Sequence, residues 1–461
     1  MSSLGALPPR RRGVVLALLT VLALLVPALA LARSGASDRT REVAKAVQGG
    51  RARNVLLFIG DGMGDSEITI ARNYAVGAAG RLTMDWLPLT GAYTTYALQE
   101  ADPSLPDYVT DSAASGTGWA TGHKTSNGRI STTAGTDTDL ATILELAQAR
   151  GFRTGDVSTA ELTDATPAVL AAHVAARSCQ GPADMASCPQ DKKSAGGPGS
   201  IAEQQVDHNV DVLLGGGRQR FEQTVDGGPD AGRTVVASAE RQGYQVVTDA
   251  SGLAAAGATP LLGLFSAGNM SLDWSGELAR PYPGSGPQRC VEGQRPAAQP
   301  SLADMSTKAI SLLETRSKGR RHGFFLQVEG ASIDKQDHAE NPCGQIGETV
   351  AFDRAIAVGL AYAKRHPDTL VVVTADHGHT SQIIEPQTAT DHSPGAISTL
   401  VTADGAEMVV NYATNLDGRS QSHTGTQVRI AAQGPQAANV VGISDQTDLF
   451  HTMARALGLS G

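Results

Sequence analysis

Three short acid- and histidine-bearing segments in this chain each follow directly after an apolar run. Val55 to Ile59 leads into Gly60, Asp61, Gly62, Met63, Gly64 and Asp65. Phe324 to Val328 leads into Glu329, Asp334, Lys335 and His338, and Val371 to Thr374 leads into Asp376, His377 and His379. Asp334 and His338 are four apart, so on a helix they share a face and can grip one ion. Imidazole suits zinc and carboxylate accepts it, and a donor set without thiolate fits a catalytic rather than a structural site. Asp376 and His377 are adjacent and reach one ion only where the chain turns, as a strand end does. Each pair alone reads as readily as a helix-start acid with a surface histidine; the recurrence of the pattern is what points to metal. Asp111 and Ser112 precede a small-residue segment able to open a helix. A serine there presents its hydroxyl to backbone N–H groups and the positive helix end, where anions are favoured, although a plain N-cap has the same appearance. Ser112 lacks a Gly-x-Ser-x-Gly elbow, so its activation falls to a metal. Two rivals fail on spacing. Gly60, Gly62 and Gly64 do not make Gly-x-Gly-x-x-Gly, and His123 interrupts a phosphate loop at Gly122 and Lys124.

Those segments need a frame. Short unbroken apolar runs at 55–59, 212–214, 324–328 and 371–374 alternate with helical patterns such as Leu140 to Arg150 and Pro167 to Arg177. This predicts an α/β fold with a central, mostly parallel sheet covered by helices on both faces. Ligands of such sheets bind beyond the carboxyl ends of the strands, so the three segments should converge on one rim. Pro/Gly-rich stretches near 178–200, 226–232 and 281–300 read as surface loops. Leu449, Phe450, Met453, Ala454 and Leu457 have helical spacing and should close the fold.

Composition narrows the function. The chain has 461 residues, of which 41% are hydrophobic and 18% charged, with a net charge of −9. It is too apolar for disorder and too acidic for a nucleic-acid scaffold, which needs clustered positive charge. An anionic ligand must therefore be held by local positive charge. Arg10, Arg11 and Arg12 precede an apolar run from Val14 to Val26, then Pro27 and small-residue sites at Ala28 to Ala32. Residues 1–32 read as a signal peptide; the run is too short to span a bilayer, so no membrane insertion is expected after cleavage. The paired arginines leave the export route open. Its removal takes three positive charges and no acid, so −9 becomes −12. Residues 33–53 read as a linker and 54–461 as one domain with loop insertions. The even cysteine count in an exported, periplasmic or secreted chain favours two disulfides with three possible pairings. Cys179 and Cys188 bracket a Pro/Gly-rich loop, which leaves Cys290 for Cys343.

The ordered set of Asp61, Asp111-Ser112, Glu329 to His338, Asp376-His377 and Ser422-His423-Thr424-Gly425 resembles that of the alkaline phosphatases. The likeness runs from about Asn54 to Leu459. It implies their three-layer sandwich fold, a homodimer, two zinc ions and one magnesium, and hydrolysis of small-molecule phosphomonoesters through a covalent phosphoserine. Residue by residue, Asp334, His338 and His423 match the first zinc's ligands. Asp61, Asp376 and His377 match the second's, with Ser112 as nucleophile. Asp61, Thr166 and Glu329 match the magnesium ligands, and Arg177 the phosphate clamp. Asp164 and Lys335 match outer positions near magnesium and phosphate, and His379 is a supporting neighbour. On the residues alone, Thr166 before Pro167 reads as a helix N-cap, Arg177 as a charge at a helix end, and Lys335 and His423 as surface groups. A phosphodiesterase or sulfatase of the same superfamily, or a non-catalytic metal- or phosphate-binding relative, is the alternative. The absence of a Cys-x-Pro-x-Arg motif, the presence of Arg177 and the retention of Ser112 beside the ligand set speak against these.

Overall fold

Apolar runs become the centre of a ten-stranded sheet. The computed structural model describes residues 38–257, 260–416 and 418–459, so the expected signal segment lies outside the described residues. The chain divides into two units, one through Lys45 and one from Ala46 onward. The helix α1 (Thr40–Ala46), all but its last residue in the first unit, occupies part of the expected linker. Glu42 in its first turn and Lys45 in its last complement the helix dipole, and Asp38 accepts from Thr40 N–H at 2.9 Å. These local signals outweigh the polar composition that suggested a linker.

In the second unit the sheet strands are β1 (Asn54–Gly60), β2 (Leu89–Thr94), β3 (Arg153–Glu161), β4 (Val212–Gly216), β5 (Gln245–Val247), β6 (Leu261–Leu264), β7 (Phe324–Gly330), β8 (Thr369–Ala375), β9 (Val428–Gln433) and β10 (Gly442–Asp445). Their spatial order is β10-β2-β9-β8-β1-β7-β3-β4-β6-β5. Only β9 runs against its neighbours; every other pairing is parallel. All seven residues of β1, β7 and β8 are buried, which is why these strands read as continuous apolar runs rather than alternating ones.

The helices that matter for the site are α2 (Asp65–Val76), α3 (Ser112–Thr121), α4 (Ala165–Ala171), α5 (Leu302–Ser317), α6 (Ser332–His338), α7 (Pro342–Arg365) and α8 (Gln446–Leu457). They cover both faces. Phe58 of β1 meets Phe352 of α7 edge-on on one side, while Trp119 of α3 donates to Gln327 of β7 at 3.0 Å on the other. Two of the expected helices are shorter than the pattern suggests. The first runs from Ile143 to Ala149, and α4 stops at Ala171 because Ala172 turns extended, so Arg177 sits on a loop. A second sheet of four strands, in the order 285–288, 396–401, 407–412 and 381–384, has its own core around Trp274, Ile346 and Tyr412. Its strands are short and partly polar and gave no clear signal in the sequence. Disulfides join Cys179 to Cys188 and Cys290 to Cys343.

Candidate active site

Parallel register lines the acids up. In β8, β1 and β7, neighbours in that order, Ala375 pairs with Gly60 and Gly60 with Gly330. Asp376 and Asp61 therefore leave the sheet at the same level, with Glu329 two residues below. Asp164 follows the end of β3, the next strand. Gly62 is held at φ +65°, and a Cβ there would lie 3.1 Å from the backbone of Asp334, so the turn after β1 approaches α6 only because the residue is glycine. Gly62 N–H donates to Asp376 Oδ1 at 2.8 Å, tying the ends of β1 and β8 together.

The side chains then converge. Ser112 Oγ lies 3.4 Å from Asp61 Oδ1 and 3.3 Å from His377 Nε2. His377 Nε2 is 3.6 Å from Asp61 and 3.2 Å from Asp376 Oδ2. Asp334 Oδ1 stands 3.3 Å from His338 Nε2, 3.1 Å from His379 Nε2 and 3.2 Å from His423 Nε2. Buried Asp376 Oδ2 and Thr166 Oγ1 have no hydrogen-bond partner. Burying such atoms unpaired costs about 1–3 kcal/mol each; open oxygens in a buried group of carboxylates and histidines are what a cation site needs.

Ring orientation divides the four histidines into two kinds. His338 Nδ1 faces Gln421 O, His423 Nδ1 faces Thr110 O at 3.1 Å, and His377 Nδ1 faces Gly378 O at 3.3 Å. A carbonyl only accepts, so each Nδ1 carries the proton and each Nε2 offers a lone pair to an ion. His379 is reversed, because its Nδ1 accepts from Thr380 N–H at 2.8 Å. Its proton is on Nε2, beside Asp334, which fits a supporting group rather than a ligand.

Electrostatics follows the same division. Burial pushes the Asp61 and Asp376 carboxyls up, and the charge of Asp334 adds to it. Burial also raises Asp334, yet His338, His379 and His423 outweigh it and hold that carboxyl well below the usual range. Burial raises Glu329 to about 7 against the opposing hydrogen bond from Ser158. Carboxylates crowded together at low dielectric repel one another, and a bound cation relieves that repulsion.

At the open side, Arg177 Nη2 pairs with Asp164 Oδ1 at 2.7 Å and Nη1 with Asp111 Oδ2 at 3.1 Å, while Lys335 Nζ takes Asp164 Oδ2 at 2.8 Å. The Arg177 side chain keeps about a third of its surface exposed. Asp164 is thus a shared brace for two cations. It is also the N-cap of α4, accepting from Ala165 N–H. Thr166 therefore lies inside that helix, not at its cap, which leaves its hydroxyl unpaired.

The alkaline phosphatase family model matches residues 52–420 and 410–459. A streptomycin-6-phosphate phosphatase of Streptomyces griseus is 53% identical over 458 residues, 98% of each chain. The alkaline phosphatase of Escherichia coli (strain K12) is 52% identical over 438 residues, 93% of this chain and 91% of the relative. This chain belongs to the alkaline phosphatase family. It is a metal-dependent phosphoric monoester hydrolase. The solved alkaline phosphatase of the Antarctic bacterium TAB5 shares the fold, with a TM-score of 0.66 over 89% of this chain and 100% of that one at 23% identity.

In this alkaline phosphatase the side chains of Asp61, Ser112, Asp334, His338, Asp376, His377, His379 and His423 come together at this rim, and Asp164, Lys335 and Arg177 interlock through ion pairs. The sequence reading did not single out Ser158, which binds Glu329, or the carbonyls of Thr110 and Gln421, which set the histidine tautomers. Ser158 pairs with Glu329 across β3 and β7, a contact visible only in the register. Also outside that reading is Asp337, buried behind Asp334 with both carboxylate oxygens unpaired and its carboxyl pushed up by burial and by Glu67.

Proposed function

We infer that hydrolysis runs through a covalent phosphoserine at Ser112, with Arg177 as phosphate clamp, two zinc ions and one magnesium. The observation that carries this reading is the placing of Ser112 Oγ between Asp61 and His377, at the buried first position of α3. Asp334, His338 and His423 would hold one zinc, Asp61, Asp376 and His377 the other, and Asp61, Thr166 and Glu329 the magnesium. When bound, these ions supply Lewis-acid stabilisation of the entering and leaving oxygens and lower the pKa of a coordinated hydroxyl.

The chain's own residues do the rest. Ser112 gives its hydroxyl proton to solvent and Oγ attacks phosphorus in line; its bond to phosphorus forms as the ester P–O bond breaks, and the leaving oxygen departs as alkoxide and takes one proton back from solvent. Arg177 presents two N–H groups to two phosphoryl oxygens, and Asp111 and Asp164 hold its plane in that position. Attack of water on the phosphoserine then releases inorganic phosphate and restores the Ser112 hydroxyl. Lys335, fixed by Asp164, adds positive charge near the phosphoryl group. In the same reading residues 1–32 are removed on export, which the two disulfides support.

Chelation followed by return of zinc and magnesium to the purified chain should abolish and then restore turnover of a chromogenic phosphomonoester, with two zinc and one magnesium at each active centre. Ser112→Ala should keep the metal content, lose roughly a thousandfold or more in turnover and form no acid-stable phosphoenzyme. Phosphate still trapped covalently on that variant would show the nucleophile to be wrongly assigned.

A further inference from the structure

A second convergence of ligand atoms lies outside the active centre. Glu145 comes from the helix Ile143–Ala149, His173 from the stretch after α4, and His208 caps the end of the helix Ile201–Asp207. One ligand atom from each lies within 4.8 Å of the other two. Glu145 Oε1 is 3.0 Å from His173 Nε2 and 3.5 Å from His208 Nδ1.

Hydrogen bonding fixes what these atoms offer. His173 Nδ1 lies 3.0 Å from Ser131 O and must carry its proton there, since a carbonyl only accepts. Glu145 Oε2 is taken by Thr142 N–H at 2.8 Å in a capping box, so Oε1 is the oxygen that faces the two imidazoles, 3.0 Å from His173 Nε2. His173 Nε2 therefore turns a lone pair toward a carboxylate oxygen unless a positive charge lies between. A proton there satisfies that pair alone. It leaves His208 Nδ1 at 3.5 Å from the same oxygen, too long for a good hydrogen bond. Two ligands bound at about 2.0–2.1 Å to one tetrahedral ion are separated by about 3.3 Å, and the observed 3.0 and 3.5 Å bracket that value.

We propose that Glu145, His173 and His208 form a separate divalent-metal site of zinc type, with two imidazoles, one carboxylate and a fourth position open to solvent. The donor chemistry is that of zinc. The outer contacts to Ser131 and Thr142 orient two of the three ligands as the partners of metal ligands do. Glu145 and His208 each keep a quarter of their side-chain surface exposed, so an ion can enter from solvent. Its role is structural. The ion joins two helices to the stretch after α4.

The test uses the full enzyme, loaded with zinc and magnesium, dialysed against buffered zinc and counted by plasma mass spectrometry. The wild type should hold one more zinc per chain than either His208→Ala or Glu145→Gln. Glu145→Gln retains an oxygen for the Thr142 cap, so its loss is of the anionic ligand rather than of the helix start. His208→Ala should leave phosphomonoester turnover unchanged, and added zinc should raise the thermal midpoint of the wild type but not of this variant. Equal zinc counts in all three proteins would overturn the proposal, whatever the thermal response, and leave Glu145 and His173 as an ion pair.

Discussion

Arg177 has its guanidinium shared between Asp111 and Asp164, yet a third of it still meets solvent at the open side of the site. Burial opposes its charge and the two carboxylates more than offset that, so it stays protonated at any working pH. Removing charge-assisted bonds of this kind costs about 1.5–3 kcal/mol, so Arg177→Ala should raise KM for a phosphomonoester by roughly ten- to a hundredfold. Arg177→Lys should recover little of it, because an ammonium cannot make the planar pair of bonds. Steady-state kinetics decide; an unchanged KM would remove Arg177 from the clamp. At this scale the sequence was informative about identity, because Asp334 and His338 carry their spacing with them. It held nothing about tautomer, since the carbonyls that select Nδ1–H in His338 and His423 belong to Gln421 and Thr110.

The helix α3 places the Ser112 hydroxyl, and Asp111 starts that helix. Its Oδ1 accepts from Ala114 N–H at 2.9 Å, while Oδ2 accepts from Gly128 N–H and from Arg177. Asp111→Ala should cost about 1–2 kcal/mol of stability for the lost cap and lower turnover as Ser112 and Arg177 both lose their anchor. Asp111→Asn keeps an acceptor for the cap and should recover most of the stability but not the affinity for substrate. Urea unfolding and kinetics on the two variants separate these effects. The bland readings of Thr166 and Ser112 as caps are resolved here: Asp164 and Asp111 take that role one or two residues earlier. An alternative cap so close by is easily missed in a sequence, because several neighbouring polar residues can all supply the oxygen.

Across the whole molecule, charge networks and disulfides hold distant segments. Asp85 accepts from Arg72 of α2 at 2.7 Å and from Arg429 of β9 at 2.8 Å. Burial opposes its charge, but these bonds bring its pKa down to about 2 from 3.8. A depressed carboxyl stabilises the fold above its unfolded value and loses that contribution as pH falls toward the folded one. Asp85→Asn should therefore be less stable than wild type at pH 6, by on the order of 1–2 kcal/mol after solvent screening. The gap should close as pH falls from about 4 to 2; a gap of constant size in denaturant titrations would exclude the ionic explanation. The Cys290–Cys343 disulfide spans 53 residues and the Cys179–Cys188 disulfide only 9. By loop-closure entropy the first contributes about 4 kcal/mol and the second about 2.5. Paired Cys→Ala variants should rank in that order in thermal unfolding.

By itself the sequence determined which acids and histidines follow the apolar runs and that parallel strands would deliver them to one rim, because apolar runs and the acids after them are local features of the chain. Tertiary structure alone decided the rest. The reversed strand β9, the second sheet, the loop position of Arg177 and the meeting of Glu145, His173 and His208 all depend on contacts between segments far apart in the chain, where no local spacing records which partner a group will face.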